Sequence, residues 1–435
     1  MNWDEIKLEV IADFRNGVNF TNDSFGKGIK VINVADFKDF MYPNYENLGE
    51  LDSEAKWHKD SFLKENDIVF VRSNGNKNLI GRSLFIKDLP TNIKVTYSAF
   101  SIRLRFKFIK DICPEFYLYL FKSPIFRSIL SQYGNGANIS NLNQDILNNM
   151  VVPKPPLLVQ QKIASILSSY DELIENNKQR IRLLEEMAEE IYKEWFVRLR
   201  FPGYETAKIV DGLPEGWEKV KADQIFDIKI GKTPPREETK WFTENKQGIK
   251  WISIRDINSS SVFIFNTNEE IVYDGISKFN LNIVKKNTVI LSFKLTVGKI
   301  AIATEDMVSN EAIAHFNIIN ESIMNREYIY CYLKNFQYAE LGNTSSIGNA
   351  INSKIVKRMP IIKPAKNIIN RFSESICSML DEIDVLNQKN QLLQETRDLL
   401  LPRLISGKLS VEHLVEEELG MVAEEKAIYK NKNHN

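Results

Sequence analysis

Gly28-Ile29-Lys30-Val31-Ile32-Asn33-Val34-Ala35-Asp36 returns about 220 residues later as Gly248-Ile249-Lys250-Trp251-Ile252-Ser253-Ile254-Arg255-Asp256. The echo continues outward from that stretch. Glu115-Phe116-Tyr117-Leu118-Tyr119 reappears as Glu327-Tyr328-Ile329-Tyr330-Cys331, and Ile146-Leu147, Met150 and Pro155 match Ile355-Val356, Met359 and Pro364. A period this long is not that of a solenoid, whose repeats run about 20 to 50 residues. The chain is therefore a duplicated unit, two homologous globular domains in one polypeptide. Alternating runs bounded by turn residues predict strands at 28–34, 67–71 and 99–108, then at 248–254, 288–293 and 313–319. Each repeat is read as α+β.

Both repeats end in a proline-rich exit, Val151-Val152-Pro153-Lys154-Pro155-Pro156 and Pro360-Ile361-Ile362-Lys363-Pro364. Proline forbids helix continuation there, and a long helix follows each time. From Ile163 the apolar row runs Leu167, Tyr170, Ile174, Ile181, Leu184, Ala188, Ile191 and Trp195, with Asn177 as its polar member. From Phe372 it runs Ile376, Met379, Ile383, Leu386, Asn390, Leu393, Arg397, Leu400 and Leu404. Steps of three and four held over several heptads, with charged flanks, are the coiled-coil pattern. Antiparallel pairing sets Asn177 opposite Asn390, Ile174 opposite Leu393, Ile181 opposite Leu386, Leu184 opposite Ile383 and Leu167 opposite Leu400. Parallel pairing in equal register leaves two buried amides without an amide partner, at about 1 to 3 kcal/mol each. The antiparallel arrangement is expected, with the two asparagines setting register. Tyr170 is expected over Arg397 as a cation–π layer, and Pro402 is expected to end regular helix near Leu401.

Composition bounds the rest. A chain of 435 residues with 43% hydrophobic content holds two or three cores. Cys113, Cys331 and Cys377 are too scattered for a disulfide framework or a zinc cluster, and the start Met1-Asn2-Trp3-Asp4-Glu5 has no targeting pattern. With no apolar run long enough for a bilayer, a cytoplasmic location is expected. The net charge is zero, yet residues 1–156 carry 20 Lys+Arg against 18 Asp+Glu and residues 201–365 carry 21 against 19. That slight basic bias permits nucleic-acid contact through local patches without announcing it.

The order of these features resembles the DNA specificity subunit of type I restriction-modification systems. Further carriers are Pro155-Pro156-Leu157 leading into Gln160-Gln161-Lys162-Ile163, Leu213-Pro214-Glu215-Gly216-Trp217, Gly231-Lys232-Thr233-Pro234, and Pro402-Arg403-Leu404-Ile405-Ser406-Gly407-Lys408-Leu409. The chain departs from the pattern at Val159-Gln160 and at Pro364-Ala365. The resemblance implies a first target recognition domain over 1–155, a central helix over 156–200, a linker over 201–216, and a second target recognition domain over 217–365. A C-terminal helix follows over 366–410, with a partly disordered tail over 411–435. Each recognition domain would read one half of a bipartite sequence in double-stranded DNA. The helices would set the gap between half-sites and dock two methylation subunits, to which restriction subunits carrying motor and nuclease are added.

Reading a duplex requires cations for phosphates and Arg, Lys, Asn or Gln side chains for base edges. In the first repeat the candidates are Arg72, Asn74, Asn76, Lys77 and Arg82 in one Gly/Asn-rich loop, and Arg103, Arg105 and Lys107 along one face of a strand. In the second they are Lys232, Arg236, Arg255, Lys294 and Lys299. The stretches Gly134-Asn135-Gly136-Ala137-Asn138 and Ile347-Gly348-Asn349-Ala350 are expected to be functional loops, whereas Asp36 and Asp256 suit turn or cap roles. No phosphate loop, dinucleotide fingerprint or H-E-x-x-H pair is present, so no catalytic site, metal or cofactor is expected in this chain. Methylation and cleavage then belong to partners. A competing reading from another class is a coiled-coil scaffold or adaptor whose two domains hold proteins.

Overall fold

The computed structural model describes residues 3–37, 41–53, 57–132, 141–243, 247–259, 261–320, 323–342 and 351–414. They form two compact units. One joins the chain up to Ile174 to the segment from Gln391 onward, and the other is the continuous stretch Glu175–Asn390. Each unit holds one repeat and a portion of both long helices, Leu157–Tyr192 and Lys366–Ile405.

In the first unit the main sheet runs in the order Ala12–Asn16, Ser101–Phe106, Ile68–Val71, Ser83–Phe85, and a smaller sheet places Gly28–Ile32 between Gly49–Asp52 and Lys94–Tyr97. The second unit repeats the plan. Phe226–Ile230, Ile313–Ile318, Val289–Ser292 and Ile300–Ala303 follow in the same order, with Phe263–Ile264 added at the far edge. Ile249–Ile252 is again central in the small sheet, antiparallel to Glu269–Ile271 and parallel to Val308–Ser309. The strands expected from alternation are therefore present, with ends shifted by a few residues. The duplication also extends to turns. The Asp36 carboxylate accepts from Asn33 N at 2.7 Å and that of Asp256 accepts from Ser253 N at 2.8 Å, so both close the same turn after the same strand.

Apolar strand faces pack on a helix in each unit. Ile68, Phe70, Ile102 and Leu104 bury against Phe116, Tyr117 and Leu120 of Pro114–Lys122. Leu291, Ala314 and Phe316 share a core with Tyr328, Ile329 and Leu333 of Arg326–Asn335. At about 25 cal/mol per Å² of apolar surface removed from water, these cores are the main stabilising term.

The long helices start where proline stops an extended segment: Val159 N bonds to Pro156 O at 2.9 Å, and Ile368 N to Ala365 O at 2.9 Å. Gln160 is wholly buried, its amide donating to Pro155 O at 2.8 Å and accepting from Cys113 N at 2.9 Å. The two helices pair antiparallel, as expected. Within the second unit Asn177 Nδ2 donates to Asn390 Oδ1 at 2.9 Å in a buried layer, Ile181 shares a core with Ile383 and Leu386, and the Tyr192 and Trp195 rings meet Phe372 at 6.1 and 5.8 Å. Sequence number rises along one helix as it falls along the other. Within the first unit Ile163 and Leu167 lie with Leu401 and Leu404.

Two seam expectations are corrected. Arg397 does not take Tyr170 as its partner: its guanidinium pairs with Asp171, whose other oxygen accepts from the Tyr119 hydroxyl at 2.7 Å. A carboxylate one residue along gives a charge-assisted bond that a ring face cannot match. Regular helix also does not stop at Leu401. It continues through Pro402 to Ile405, because the lost N–H is a single bond near the terminus while Leu401, Leu404 and Ile405 are buried and hold the last turn in place.

Candidate nucleic-acid interface

The loop from Arg72 to Arg82 joins two neighbouring strands of the main sheet in the first unit. Its backbone is shaped by its own asparagines: Asn74 Oδ1 accepts from Asn76 N at 2.8 Å and Asn76 Oδ1 from Asn78 N at 3.1 Å, successive turns closed by side chains. Lys77 is exposed at the crest. Arg72 is half-buried at the base, its Nη1 donating to Ala99 O at 3.4 Å and its Nε enclosed without a partner. At the other end Arg82 lies beside Arg127. Burial, and then the charge of Arg82, pull the Arg127 guanidinium below its ordinary value. One loop thus collects Arg72, Asn74, Asn76, Lys77 and Arg82.

Arg103, Arg105 and Lys107 are placed differently. The alternation puts them on one face, but Arg103 is buried there and Arg105 half-buried, with Lys107 alone exposed. Arg105 makes two bonds to the buried Asp67 carboxylate, at 2.7 and 2.6 Å, and a third to Phe62 O at 3.1 Å. Burial alone would lower the Arg105 guanidinium, yet the Asp67 carboxylate holds it above its ordinary value. Arg103 is 5% exposed, reaches Asp60 O at 3.5 Å, and is lowered by burial. Lys107 donates to Glu9 O at 2.7 Å. All three cations are engaged by the protein itself.

In the second unit the matching loop is Phe293–Lys299, and the Gly231-Lys232-Thr233-Pro234 turn comes to it. Gly231 crosses backbone so closely that a Cβ would sit 2.1 Å from Asn310 O, and Gly17 makes the same crossing at 2.1 Å from Ser98 O. Only glycine fits either position. Lys232 N then bonds to Ser309 O at 2.8 Å, as Val18 N does to Tyr97 O at 2.9 Å. The Thr233 hydroxyl bonds the Glu311 carboxylate. Burial would raise Glu311, but Thr233 together with the nearby charges of Lys294 and Arg236 holds it below the usual range. Arg236 and Lys294 therefore both act on one carboxylate. Arg236 is further fixed by Glu269 at 2.8 and 3.0 Å and lies 4.2 Å from the Phe242 ring and 4.4 Å from that of Trp251. Lys232 Nζ donates to Asn280 O at 2.7 Å. Lys299 closes the loop, and Arg255 is exposed on a separate short helix, Ile254–Ser259.

Sequence reading missed Glu311, which has no counterpart in the first repeat, and missed Gly17, whose neighbours Val18 and Asn19 share no side chains with Lys232 and Thr233. The two Asn/Gly stretches at 134–138 and 347–350 lie outside the described residues. Among the described residues no group of three or more His, Cys, Asp or Glu is placed to hold a metal, and no helix is long and apolar enough to cross a membrane.

Residues 1–186 and 214–395 each match the type I restriction modification DNA specificity domain. The chain belongs to that family. Among its relatives is the MjaIX type I restriction enzyme specificity subunit of Methanocaldococcus jannaschii, 28% identical over 95% of each chain. The HindI specificity subunit of Haemophilus influenzae is 24% identical over 85% of this chain and 91% of its own length. A solved type I restriction-modification S subunit from M. genitalium shares the fold, with a TM-score of 0.55 and 15% identity over 93% of this chain and 96% of that one. The specificity domain thus occurs here twice, once per repeat, and its function is sequence-specific DNA recognition within a type I restriction-modification system.

Proposed function

We propose that this chain is the non-catalytic reader of a cytoplasmic restriction-modification complex, in which each unit recognises one half of a bipartite duplex target. The observation that carries the reading is the repeated position of the cationic loops. Arg72–Arg82 and Phe293–Lys299 join the equivalent pair of strands in two like-folded units, each with a glycine crossing beside it. Phosphate contacts from Lys77, Lys294 and Lys299 would position the duplex, and Arg72, Asn74, Asn76 and Arg82 have the donors and acceptors that base edges require. Arg103, Arg105 and Lys107 support the sheet in this reading, and Arg236 braces the Lys232 turn. The paired helices, 36 and 40 residues long, would set the gap between half-sites and dock two methylation subunits, with restriction subunits added for cleavage. The scaffold alternative leaves the cationic loops without a task.

The test uses the chain assembled with its methylation subunits and duplexes carrying the sequence that the complex methylates. Arg72→Ala is expected to relax selection in one half-site and Lys294→Ala to weaken binding with a shallower salt dependence. Equal loss of selection in both half-sites for Arg72→Ala, or no loss in either, would contradict the assignment.

A further inference from the structure

We propose that Leu295 is a wedge that enters the base stack of the half-site met by the second unit, an inference that rests on the DNA-reading function above. The loop is tied at both ends. Phe293 is buried with its N bonded to Ala312 O at 2.9 Å, and Ser292 N and Gly298 N bond Lys299 O at 2.8 Å and Ser292 O at 3.0 Å. The Ser292 hydroxyl donates to Thr296 O and accepts from Lys299 N at 3.1 Å. Gly298 packs on the Tyr338 ring. Between these ties Leu295 stands 95% exposed, and its backbone is left-handed at φ 61°.

Nothing in the fold asks for leucine there. A glycine or asparagine would relieve the backbone and remove an apolar side chain from water. Such strain persists at sites where a side chain is needed for what it meets. Lys294 and Lys299 flank the crest with positive charge, and a cation-bordered apolar side chain is the composition of residues that unstack a base step and kink the duplex. In the first unit the matching loop carries Asn74-Gly75-Asn76-Lys77 at its crest instead. Distortion is therefore expected in one half-site only.

The complete complex with its methylation subunits would be titrated with target duplexes carrying 2-aminopurine at successive steps of each half-site. For the unmodified protein, fluorescence rises at one step of the half-site met by the second unit, apart from the position of the methylated base, which the methylation subunits themselves extrude. Leu295→Gly abolishes that rise and lowers the preference for target over random duplex about tenfold. Its thermal midpoint is unchanged or higher, because the left-handed backbone is relieved. Leu295→Met retains the signal. An unchanged rise and preference in Leu295→Gly would overturn the wedge while leaving DNA reading intact. So would failure of Leu295→Gly to assemble with the methylation subunits, which places Leu295 on a protein interface. If the unmodified complex shows no preference for its target duplex, the DNA reading itself falls and takes the wedge with it.

Discussion

Strand Ser101–Phe106 and strand Ile313–Ile318 occupy the same place in two copies of one sheet, yet their buried polar positions are filled by different chemistry. Arg103 faces Arg15 and Val69 across the ladder, and His315 faces Lys229 and Ile290 in the same register. Two residues on, Arg105 clamps Asp67, whereas Asn317 meets the Thr288 hydroxyl at 3.3 Å. Duplication conserved the apolar face, which the fold requires, and released the other face to any set of groups that satisfies its own hydrogen bonds. A charged pair in one unit and a neutral pair in the other do the same structural task with different sensitivities.

The largest expected effect separates those pairs. Asp67→Ala leaves the Arg105 guanidinium half-buried without its carboxylate and is expected to destabilise the first unit by about 3–5 kcal/mol. Thr288→Ala at the equivalent place should cost the second about 1 kcal/mol. Denaturant unfolding of each variant measures both, and equal losses would break the comparison.

Protonation should separate the units next. The Ser309 hydroxyl lies 2.7 Å from His315 Nε2 and 3.3 Å from Asn310 O, and His315 Nδ1 is enclosed without a partner. Burial first, and then Lys229, lower the imidazole to about 4. The unfolded chain binds this proton near pH 6.5 and the folded one only near 4, so stability falls as pH drops through that window and levels off below it. At about 1.4 kcal/mol per pH unit the loss approaches roughly 3 kcal/mol. Unfolding curves at pH 7 and pH 5 should show about 2 kcal/mol of it, since pH 5 still lies above the folded value, and His315→Gln should flatten the dependence.

The smallest separation concerns the helix seam. Asn177→Leu strands the Asn390 amide and should cost about 1–3 kcal/mol, while replacing both asparagines with leucine should recover that loss. A single variant as stable as the double one would remove the facing amides from any role in register.

How much of this was legible follows the same division. The repeated Gly28–Asp36 text located the central strands and their closing aspartates because both sequence and geometry were retained. The seam was readable through Asn177 and Asn390 because a polar residue in an apolar row stands out. Arg103 and Arg105 were not readable as inward-facing: alternation reports that two faces differ and says nothing of a carboxylate such as Asp67, 38 residues upstream, that draws one face in. The Arg397–Asp171 pair was hidden for a related reason, since heptad spacing ranks seam positions and ignores an acid just beside them. Gly17 and Gly231 share a backbone crossing with different flanking residues, which no comparison of side chains detects. Leu295 carries its message in backbone conformation and exposure, and neither is written in residue type.

The uneven way the chain is divided between its units also constrains its birth. The second unit is one uninterrupted stretch, Glu175–Asn390, whereas the first needs residues from Gln391 onward to finish its core. During synthesis the later-encoded body has all its parts as soon as Asn390 clears the ribosome. The earlier one must wait for Leu401, Leu404 and Ile405, which share its core with Ile163 and Leu167, to emerge. The amino-terminal unit is thus the last to be sealed, and termination soon after Asn390 would leave its core short of Leu401, Leu404 and Ile405 while the other body has all its residues.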